Sequence, residues 1–103
     1  MALRVLHLRI KTPSGSADAL FSFLKGVIPF YEAAGGVRVR LLRSIEDPTR
    51  FIEVIEYDSL EAFDRDQHRV DNDPQMRSYL QTWRSLLDGG VEVETYEDLT
   101  DQL

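Results

Sequence analysis

The segment over residues 51–63, FIEVIEYDSLEAF, decides the fold, because a strand pattern in it changes abruptly into a helix pattern. Its first half consists of bulky strand-forming residues interrupted by two glutamates. Asp58 or Ser59 then offers a side-chain oxygen to the free N–H groups of a new helix, and Glu61 stands three residues after Asp58, as in a capping box. The segment therefore predicts a strand ending near residue 57, followed directly by a capped helix.

Composition limits the kinds of protein that the chain can form. Its 103 residues have room for one domain, which we expect to span residues 1–103 with a loose acidic tail at 97–103. Charged residues interrupt every apolar run and no signal-peptide pattern is visible, so neither a membrane span nor a secreted protein is predicted. The absence of cysteine excludes disulfides and thiolate metal sites. We expect a cytoplasmic protein.

The charge pattern gives no indication of a nucleic-acid partner. The formal net charge is −6, which opposes binding to a polyanion. The arginines are spread along the chain and form no basic cluster. Neither nucleic acid nor a membrane is therefore expected as a partner.

Periodicity predicts the other elements. Alternating apolar residues indicate strands over residues 3–11, 37–45 and 91–96. A helix should begin at Ala17, capped by Ser16, and Pro29 should kink it or break it in two. Another helix should begin at Pro74 after the cap residue Asp73. Its apolar stripe consists of Met76, Tyr79, Leu80, Trp83, Leu86 and Leu87.

The turn signal at residues 46–49 predicts a hairpin between the second and third strands. If Ile45 pairs with Arg50 across a four-residue loop, Leu41 lies opposite Val54. This register places Ile52 and Val54 beneath the helices. It places four residues on the other face of the sheet: Phe51, Glu53, Ile55 and Tyr57.

The predicted order is β-α-β-β-α-α-β, the α+β, ferredoxin-like plan with its second helix divided. All helices would cover one face of a four-stranded antiparallel sheet. The uncovered face mixes aliphatic, aromatic and charged side chains, and is too apolar in its middle to face water. We therefore expect a homodimer that buries this face. The residues predicted on it are Val5, His7, Arg9, Arg38, Arg40, Leu42, Phe51, Glu53, Ile55, Tyr57 and Tyr96.

This plan resembles the dimeric α/β-barrel superfamily, which includes antibiotic-biosynthesis monooxygenase-like and NIPSNAP-like proteins. The resemblance rests on FIEVIEYDSLEAF, on the polar segment through His68 and on the last helix, which ends in YLQTWRSLLDGG. Monooxygenase-like relatives often carry histidines after such an aromatic-Asp-Ser-x-Glu-Ala-aromatic passage. Here His68 stands about two residues later, and a second histidine is absent. The resemblance implies cofactor-independent oxidation of an aromatic compound, with His68, Tyr57 and Trp83 near the ligand.

Three residues are candidates for catalysis. His68 could act as a general base, because its charge changes near neutral pH; the alternative is a surface histidine on a polar helix end. His7 could form a buried pair with Glu53, or make a polar contact in the dimer interface. Tyr57 is a candidate through the resemblance. No nucleophile motif, phosphate-binding loop or strong metal-ligand spacing is present, and no metal or cofactor is predicted.

Other residues are candidates for ligand binding. Trp83, Tyr31 and Tyr79 could line a pocket for a flat aromatic ligand between helices and sheet, although their spacing equally fits a plain core. Arg40 and Glu53 are further candidates for ligand binding. Arg40 and Arg43 could hold an anionic substrate, or pair with Glu53, Glu56 or the partner chain.

Three functions are compatible with these features. The first is a small-molecule enzyme or binder, and the second is a non-catalytic homodimeric interaction module. The third is a haem-binding protein with His68 or His7 as axial ligand.

Overall fold

The computed structural model describes residues 3–103 and has the predicted order of elements. The elements are β1 (Arg4–Lys11), α1 (Ala17–Glu32), β2 (Val37–Arg43), β3 (Arg50–Tyr57), α2 (Leu60–Asn72), α3 (Pro74–Ser85) and β4 (Glu92–Glu97). A 3-10 turn, Thr100–Gln102, follows β4. The α+β prediction is confirmed.

The four strands form one antiparallel sheet in the order β2-β3-β1-β4, which is the ferredoxin-like arrangement. The hydrophobic core lies between this sheet and the helices. Its buried members include Ile10 and Phe51 from the sheet, Leu20 and Leu24 from α1, and Trp83 from α3. Among residues 3–103, no helix combines the length and apolar character that crossing a bilayer would require.

The predicted register of the β2–β3 hairpin is wrong by one residue. Leu41 pairs with Glu53 instead of Val54, and the N–H of Ser44 donates to the carbonyl of Arg50. The connection therefore has five residues, 45–49. Side chains stabilise this turn: the carboxylate of Asp47 accepts from both the N–H and the hydroxyl of Thr49, at 3.0 and 2.6 Å.

A shift of one residue moves every side chain of a strand to the other face. Phe51, Glu53, Ile55 and Tyr57 therefore lie beneath the helices, where the prediction had Ile52 and Val54. We call this side the covered face; it consists of Arg4, Leu6, Leu8, Ile10, Val37, Val39, Leu41, Arg43, Phe51, Glu53, Ile55, Tyr57, Val93, Thr95 and Glu97. The other side is the open face; it consists of Val5, His7, Arg9, Lys11, Arg38, Arg40, Leu42, Arg50, Ile52, Val54, Glu56, Glu92, Glu94 and Tyr96.

Capping explains where the helices begin. Ser59 is the N-cap of α2, and its hydroxyl accepts from the N–H of Ala62 at 3.0 Å. Asp73 caps α3 as predicted, accepting from the N–H of Gln75 at 2.9 Å. Ser16 makes no such bond at the start of α1.

One of the two alternatives predicted at Pro29 is wrong: the α1 helix continues through Pro29 to Glu32, so the proline does not break it in two. On α2, Leu60 is 50 % exposed. Ala62 is buried, because it faces Leu6 and Tyr57 of the covered face.

Gly36 is where strand β2 approaches the start of α2. It has a φ of +74°, and a Cβ on it would lie 2.5 Å from Asp58 Oδ1 and 2.9 Å from the Cβ of Ala62. Gly35 has a similar φ of +82°, but a Cβ there would meet nothing within 4 Å. The two glycines therefore share backbone strain and differ in the space around them.

We expect Gly36→Ala to lower the free energy of unfolding by about 2–5 kcal/mol, since it adds overpacking to left-handed strain. Gly35→Ala, the matched control, should cost about 1–2 kcal/mol through strain alone. Urea denaturation of both variants measures the difference. Equal losses would show that the close approach of Asp58 and Ala62 does not constrain position 36.

Candidate functional site

A cavity of about 60 Å³ lies between the covered face and the helices. Apolar side chains form most of its wall, and four side chains with polar atoms interrupt it. The lining residues are Leu8, Tyr31, Val37, Val39, Glu53, Ile55, Asp66, Val70, Met76, Leu80 and Trp83. An apolar cavity with a few polar groups is the usual form of a small-molecule site.

Glu53 is the most unusual of these residues. It lies in the middle of β3, between Leu8 of β1 and Leu41 of β2, and is only 3 % exposed. Burial among apolar neighbours disfavours the ionised carboxylate and raises the pKa of Glu53 to about 7. A carboxyl group that titrates near neutral pH can accept or release a proton under ordinary conditions.

Trp83 of α3 supplies the nearest donor to this carboxyl. Its indole N–H interacts with Glu53 and partly opposes the rise in pKa. The pair nevertheless does not satisfy hydrogen-bond geometry, and Glu53 Oε1 and Trp83 Nε1 are both buried without a partner among residues 3–103. The contact with Trp83 is too weak to cancel the effect of burial on the pKa of Glu53. Two unpaired polar atoms in one cavity destabilise the folded protein unless a bound molecule forms hydrogen bonds with them.

A second buried carboxyl, Asp66 of α2, lines the cavity. The hydroxyl of Tyr57 donates to Asp66 Oδ2 at 2.5 Å, and Tyr57 is fully buried. Burial and this hydrogen bond raise the pKa of Tyr57 above its ordinary value. Burial likewise raises the pKa of Tyr31, and the nearby charges of Glu53 and Asp66 add to the rise. Tyr31 and Tyr57 are therefore neutral donors at physiological pH.

Helix α2 is held against the end of α1 by arginine. The guanidinium of Arg69 donates to the carbonyls of Phe30 and Tyr31, at 3.1 and 3.4 Å, and lies over the Phe30 ring. Cations are favourable at the C-terminal end of a helix, where carbonyls lack intrahelical partners. This contact fixes Tyr31 and Asp66 on neighbouring walls of the cavity.

The ionisable groups that the described chain places around the cavity include acids and no bases. Among the described residues that line it, two are carboxylic acids and none is a lysine, arginine or histidine. Within residues 3–103, no three His, Asp or Glu side chains come together as metal ligands. The arrangement offers a proton acceptor, an indole donor and a phenol in a mostly apolar space.

The structure brings together some of the predicted site residues and separates others. Glu53, Tyr31 and Trp83 line the cavity, and Tyr57 lies behind it through Asp66. The predicted position of Glu53 and Tyr57 on the uncovered face is therefore wrong.

The other candidates lie elsewhere. His68 is exposed on α2 beside Asn72, and Tyr79 packs against the rings of Phe23 and Phe30. His7 and Arg40 lie on the open face, where the ring of His7 is 5.0 Å from that of Tyr96. Arg40 pairs with Glu56 at 3.2 Å. The proposed pair of His7 with Glu53 does not form, since the two side chains lie on opposite faces of the sheet.

Sequence analysis missed Asp66, because it stands in a very polar part of α2. A signal for it did exist. Ala62, Asp66 and Val70 are each four residues apart, so they share one face of the helix. Ala62 is buried and Val70 is half-buried, which places Asp66 on the inward face.

The raised pKa of Glu53 predicts a pH-dependent stability. The folded protein holds the proton up to about pH 7, whereas the unfolded chain releases it near 4.5. The contribution of this protonation to the free energy of unfolding is therefore complete below pH 4.5 and is lost as the pH rises through 7. At 1.36 kcal/mol per pKa unit, the loss between pH 5 and pH 8 is about 2–3 kcal/mol.

Glu53→Gln should remove this dependence, because the amide does not titrate. The difference in unfolding free energy, variant minus parent, should rise by about 2–3 kcal/mol from pH 5 to pH 8 in urea denaturation. A constant difference would mean that the carboxyl of Glu53 titrates at its ordinary pH in the folded protein.

Comparison with solved structures finds this fold repeatedly. A proposed antibiotic biosynthesis monooxygenase from Bordetella bronchiseptica has a TM-score of 0.76 at 16% identity, covering 95% of this chain and 98% of that one. Another from Nitrosomonas europaea has a TM-score of 0.77 at 15% identity, covering 95% and 91%. A variant of SnoaB, a cofactor-independent oxygenase from Streptomyces nogalater, has a TM-score of 0.76 at 16% identity, covering 95% and 94%.

Sequence comparison adds nothing to this result. No protein-family model matches the chain, and no curated protein matches it. At these identities the structural likeness concerns the fold. The chain thus has the same fold as these three proteins, which confirms the predicted resemblance at the level of the fold.

Proposed function

We propose that the protein is a cofactor-independent oxygenase that acts on an aromatic hydroxyl compound in the cavity beside Glu53. The observation that carries this proposal is the buried carboxyl of Glu53, whose Oε1 has no partner among residues 3–103 and whose pKa is raised to about 7. The cavity lies between helices and sheet in a fold shared with SnoaB, a cofactor-independent oxygenase. Glu53 replaces His68 as the proposed base, because His68 is exposed on α2.

Glu53 would begin the reaction by accepting the hydroxyl proton of the substrate. The resulting phenolate is a far better electron donor than the phenol and can react with dioxygen. One oxygen atom enters the ring at an unsubstituted position, and the other leaves as water. The substrate supplies all the electrons, so a phenol and one O₂ give one quinone and one H₂O.

The indole of Trp83 would stabilise the charge that develops on the substrate oxygen. Its N–H is buried and unpaired among the described residues, so it can donate to that oxygen without giving up another bond. Tyr31 provides an aromatic wall. In this proposal Tyr57 positions Asp66 and does not touch the substrate.

Size constrains how the substrate enters. The cavity of about 60 Å³ holds one or two water molecules, whereas an engineered cavity of about 150 Å³ is needed to hold benzene. An aromatic ring therefore fits only after side chains of α3 move. Met76 and Leu80 form that wall, and the unbranched methionine adapts its shape readily.

The proposal includes a homodimer formed through the open face. The helices α1, α2 and α3 lie on the other side of the sheet, and the segment after β4 borders the open face beside Val5, His7 and Tyr96. Leu42 and Tyr96 on the open face are 45 % and 42 % exposed. Val54 in its centre is already shielded, between His7 and Arg40 on the neighbouring strands. Burying such a surface against a second copy would remove apolar area from water.

The proposed activity is tested by oxygen uptake with a panel of electron-rich phenols that includes α-naphthol. We expect uptake above the rate in buffer, with one quinone formed per O₂ consumed. Catalase should leave the stoichiometry unchanged, because the second oxygen atom leaves as water. If no phenol of the panel raises oxygen uptake or shifts the NMR signal of the Trp83 indole, the proposal is wrong.

A second function, a non-catalytic homodimeric module, is favoured by the small volume of the cavity. In that case Glu53 and Trp83 would be bridged by a buried water, which satisfies both atoms. The same oxygen-uptake and NMR experiments separate the two functions, since a water-filled core would respond to no phenol.

A further inference from the structure

The polar atoms of the cavity indicate which ligands it accepts. Glu53 is 3 % exposed and Trp83 is 5 % exposed, and both lack a hydrogen-bond partner among residues 3–103. An ionised Glu53 can only accept a hydrogen bond, and the indole N–H can only donate one. A ligand that satisfies both must therefore carry an O–H or N–H donor and an oxygen or nitrogen acceptor.

The charge of the ligand is constrained more strongly than its hydrogen bonds. No lysine, arginine or histidine is present among the described residues that line the cavity, while Glu53 and Asp66 both are. The guanidinium of Arg69 is engaged with the carbonyls of Phe30 and Tyr31. Above about pH 7, where Glu53 is ionised, an anionic ligand would bury a second negative charge beside it with no basic side chain among the described lining residues to compensate it, which is strongly unfavourable.

We propose that the cavity selects an uncharged ligand with a weakly acidic hydroxyl group and rejects carboxylates of the same shape. This inference rests on the proposed function and adds to it the charge that the substrate must have. Transfer of the hydroxyl proton to Glu53 leaves the total charge of ligand and carboxyl unchanged. The negative charge moves from Glu53 to the ligand oxygen, where the Trp83 N–H can stabilise it.

No arginine of the described chain lines the cavity, and two arginines near the sheet have partners elsewhere. Arg43 stacks on the rings of Phe21 and Phe51, and Arg40 pairs with Glu56 on the open face. The prediction that Arg40 could hold an anionic group in the ligand site therefore has no support in the geometry of the cavity.

The test compares phenol with benzoate, two single-ring probes that differ in charge at pH 8. The chain has one tryptophan, so the ¹⁵N–¹H signal of the Trp83 indole is a unique reporter of the cavity. Titration of each probe gives a dissociation constant from the shift of this signal. We expect phenol to bind at least about tenfold more tightly than benzoate, a difference of about 1.4 kcal/mol.

Glu53→Gln should narrow the preference for phenol over benzoate to within about threefold, chiefly because benzoate binds more tightly to the variant. The amide carries no charge and can donate a hydrogen bond to the carboxylate. Glu56→Gln is the matched control: it lies on the same strand but on the open face, and should keep the tenfold preference. The amide at position 53 occupies nearly the same volume as the carboxyl, so the variant is expected to fold.

The outcomes separate this inference from the proposed function. Equal or tighter binding of benzoate to the parent protein would overturn the charge selection and leave an aromatic site in place. A preference that survives unchanged in Glu53→Gln would also overturn it. If neither probe shifts the Trp83 signal, the cavity admits no aromatic ligand, and the proposed function fails together with the inference.

Discussion

Glu53→Gln is expected to lower kcat for phenol oxidation by at least about 100-fold, the usual minimum for loss of a general base. The amide fills the same space and can accept a hydrogen bond, but it cannot take the proton of the substrate. Binding of uncharged phenols should change little, because both side chains offer an acceptor to the hydroxyl. The loss should therefore fall on kcat and leave KM within a fewfold of the parent value.

The pH profile provides a readout that a purely structural role would not change. In the parent protein, kcat/KM should rise with pH to a plateau with a midpoint near 7, because the ionised carboxyl is the active form. The residual activity of Glu53→Gln should lack this step. Glu56→Gln, on the open face of the same strand, should keep both rate and profile. An unchanged kcat in Glu53→Gln would exclude Glu53 as the base.

Leu42→Asp is expected to weaken dimer formation by at least about 30-fold, equivalent to about 2 kcal/mol, because an exposed apolar side chain of the open face is replaced by a charge. Leu42 lies on the open face and is 45 % exposed in the protomer. The aspartate would place an unpaired charge in an interface that excludes water. The fold of the protomer should not suffer, because α1, α2 and α3 pack on the covered face.

Sedimentation equilibrium measures the association directly. Ile45→Asp is the matched control, because Ile45 is 100 % exposed in the β2–β3 turn and away from the centre of the open face. It should sediment like the parent protein. A parent protein that is a stable monomer at micromolar concentration, or a Leu42→Asp variant that associates normally, would contradict the proposed dimer.

Local sequence signals predicted the elements because each signal acts at short range. The cap at Asp73, the proline at position 74 and the stripe that contains Met76 and Trp83 are all contained within one helix. Tyr31 and Trp83 were likewise predicted to lie between helices and sheet, and both are buried. The order of these elements then led to the ferredoxin-like plan.

The faces of β3 could not be predicted in the same way, because a hairpin register depends on its turn. Both registers alternate equally well along the strand. The side-chain bonds of Asp47 with Thr49 close a five-residue connection, and periodicity contains no signal for this choice. The difference of one residue moved Glu53 from the uncovered face into the cavity.

The candidate site was predicted only in part for the same reason. Trp83 and Tyr31 belong to inward helix stripes, so their place between helices and sheet followed from spacing. Glu53 was named as a ligand-binding candidate on the wrong face, and Asp66 was not named. The histidines were named as candidates because imidazole titrates near neutral pH. The burial of a carboxyl among apolar side chains depends on tertiary structure, so it could not be predicted from residue type.

The most direct test of this account is a pH titration of the Trp83 indole ¹⁵N–¹H signal, which reports the charge of the carboxyl beside it. We predict a single transition with a midpoint near pH 7, the raised pKa of Glu53, and no transition in Glu53→Gln. A midpoint near 4.5, or a transition that persists in the variant, would show that Glu53 is not the buried, proton-accepting group beside Trp83.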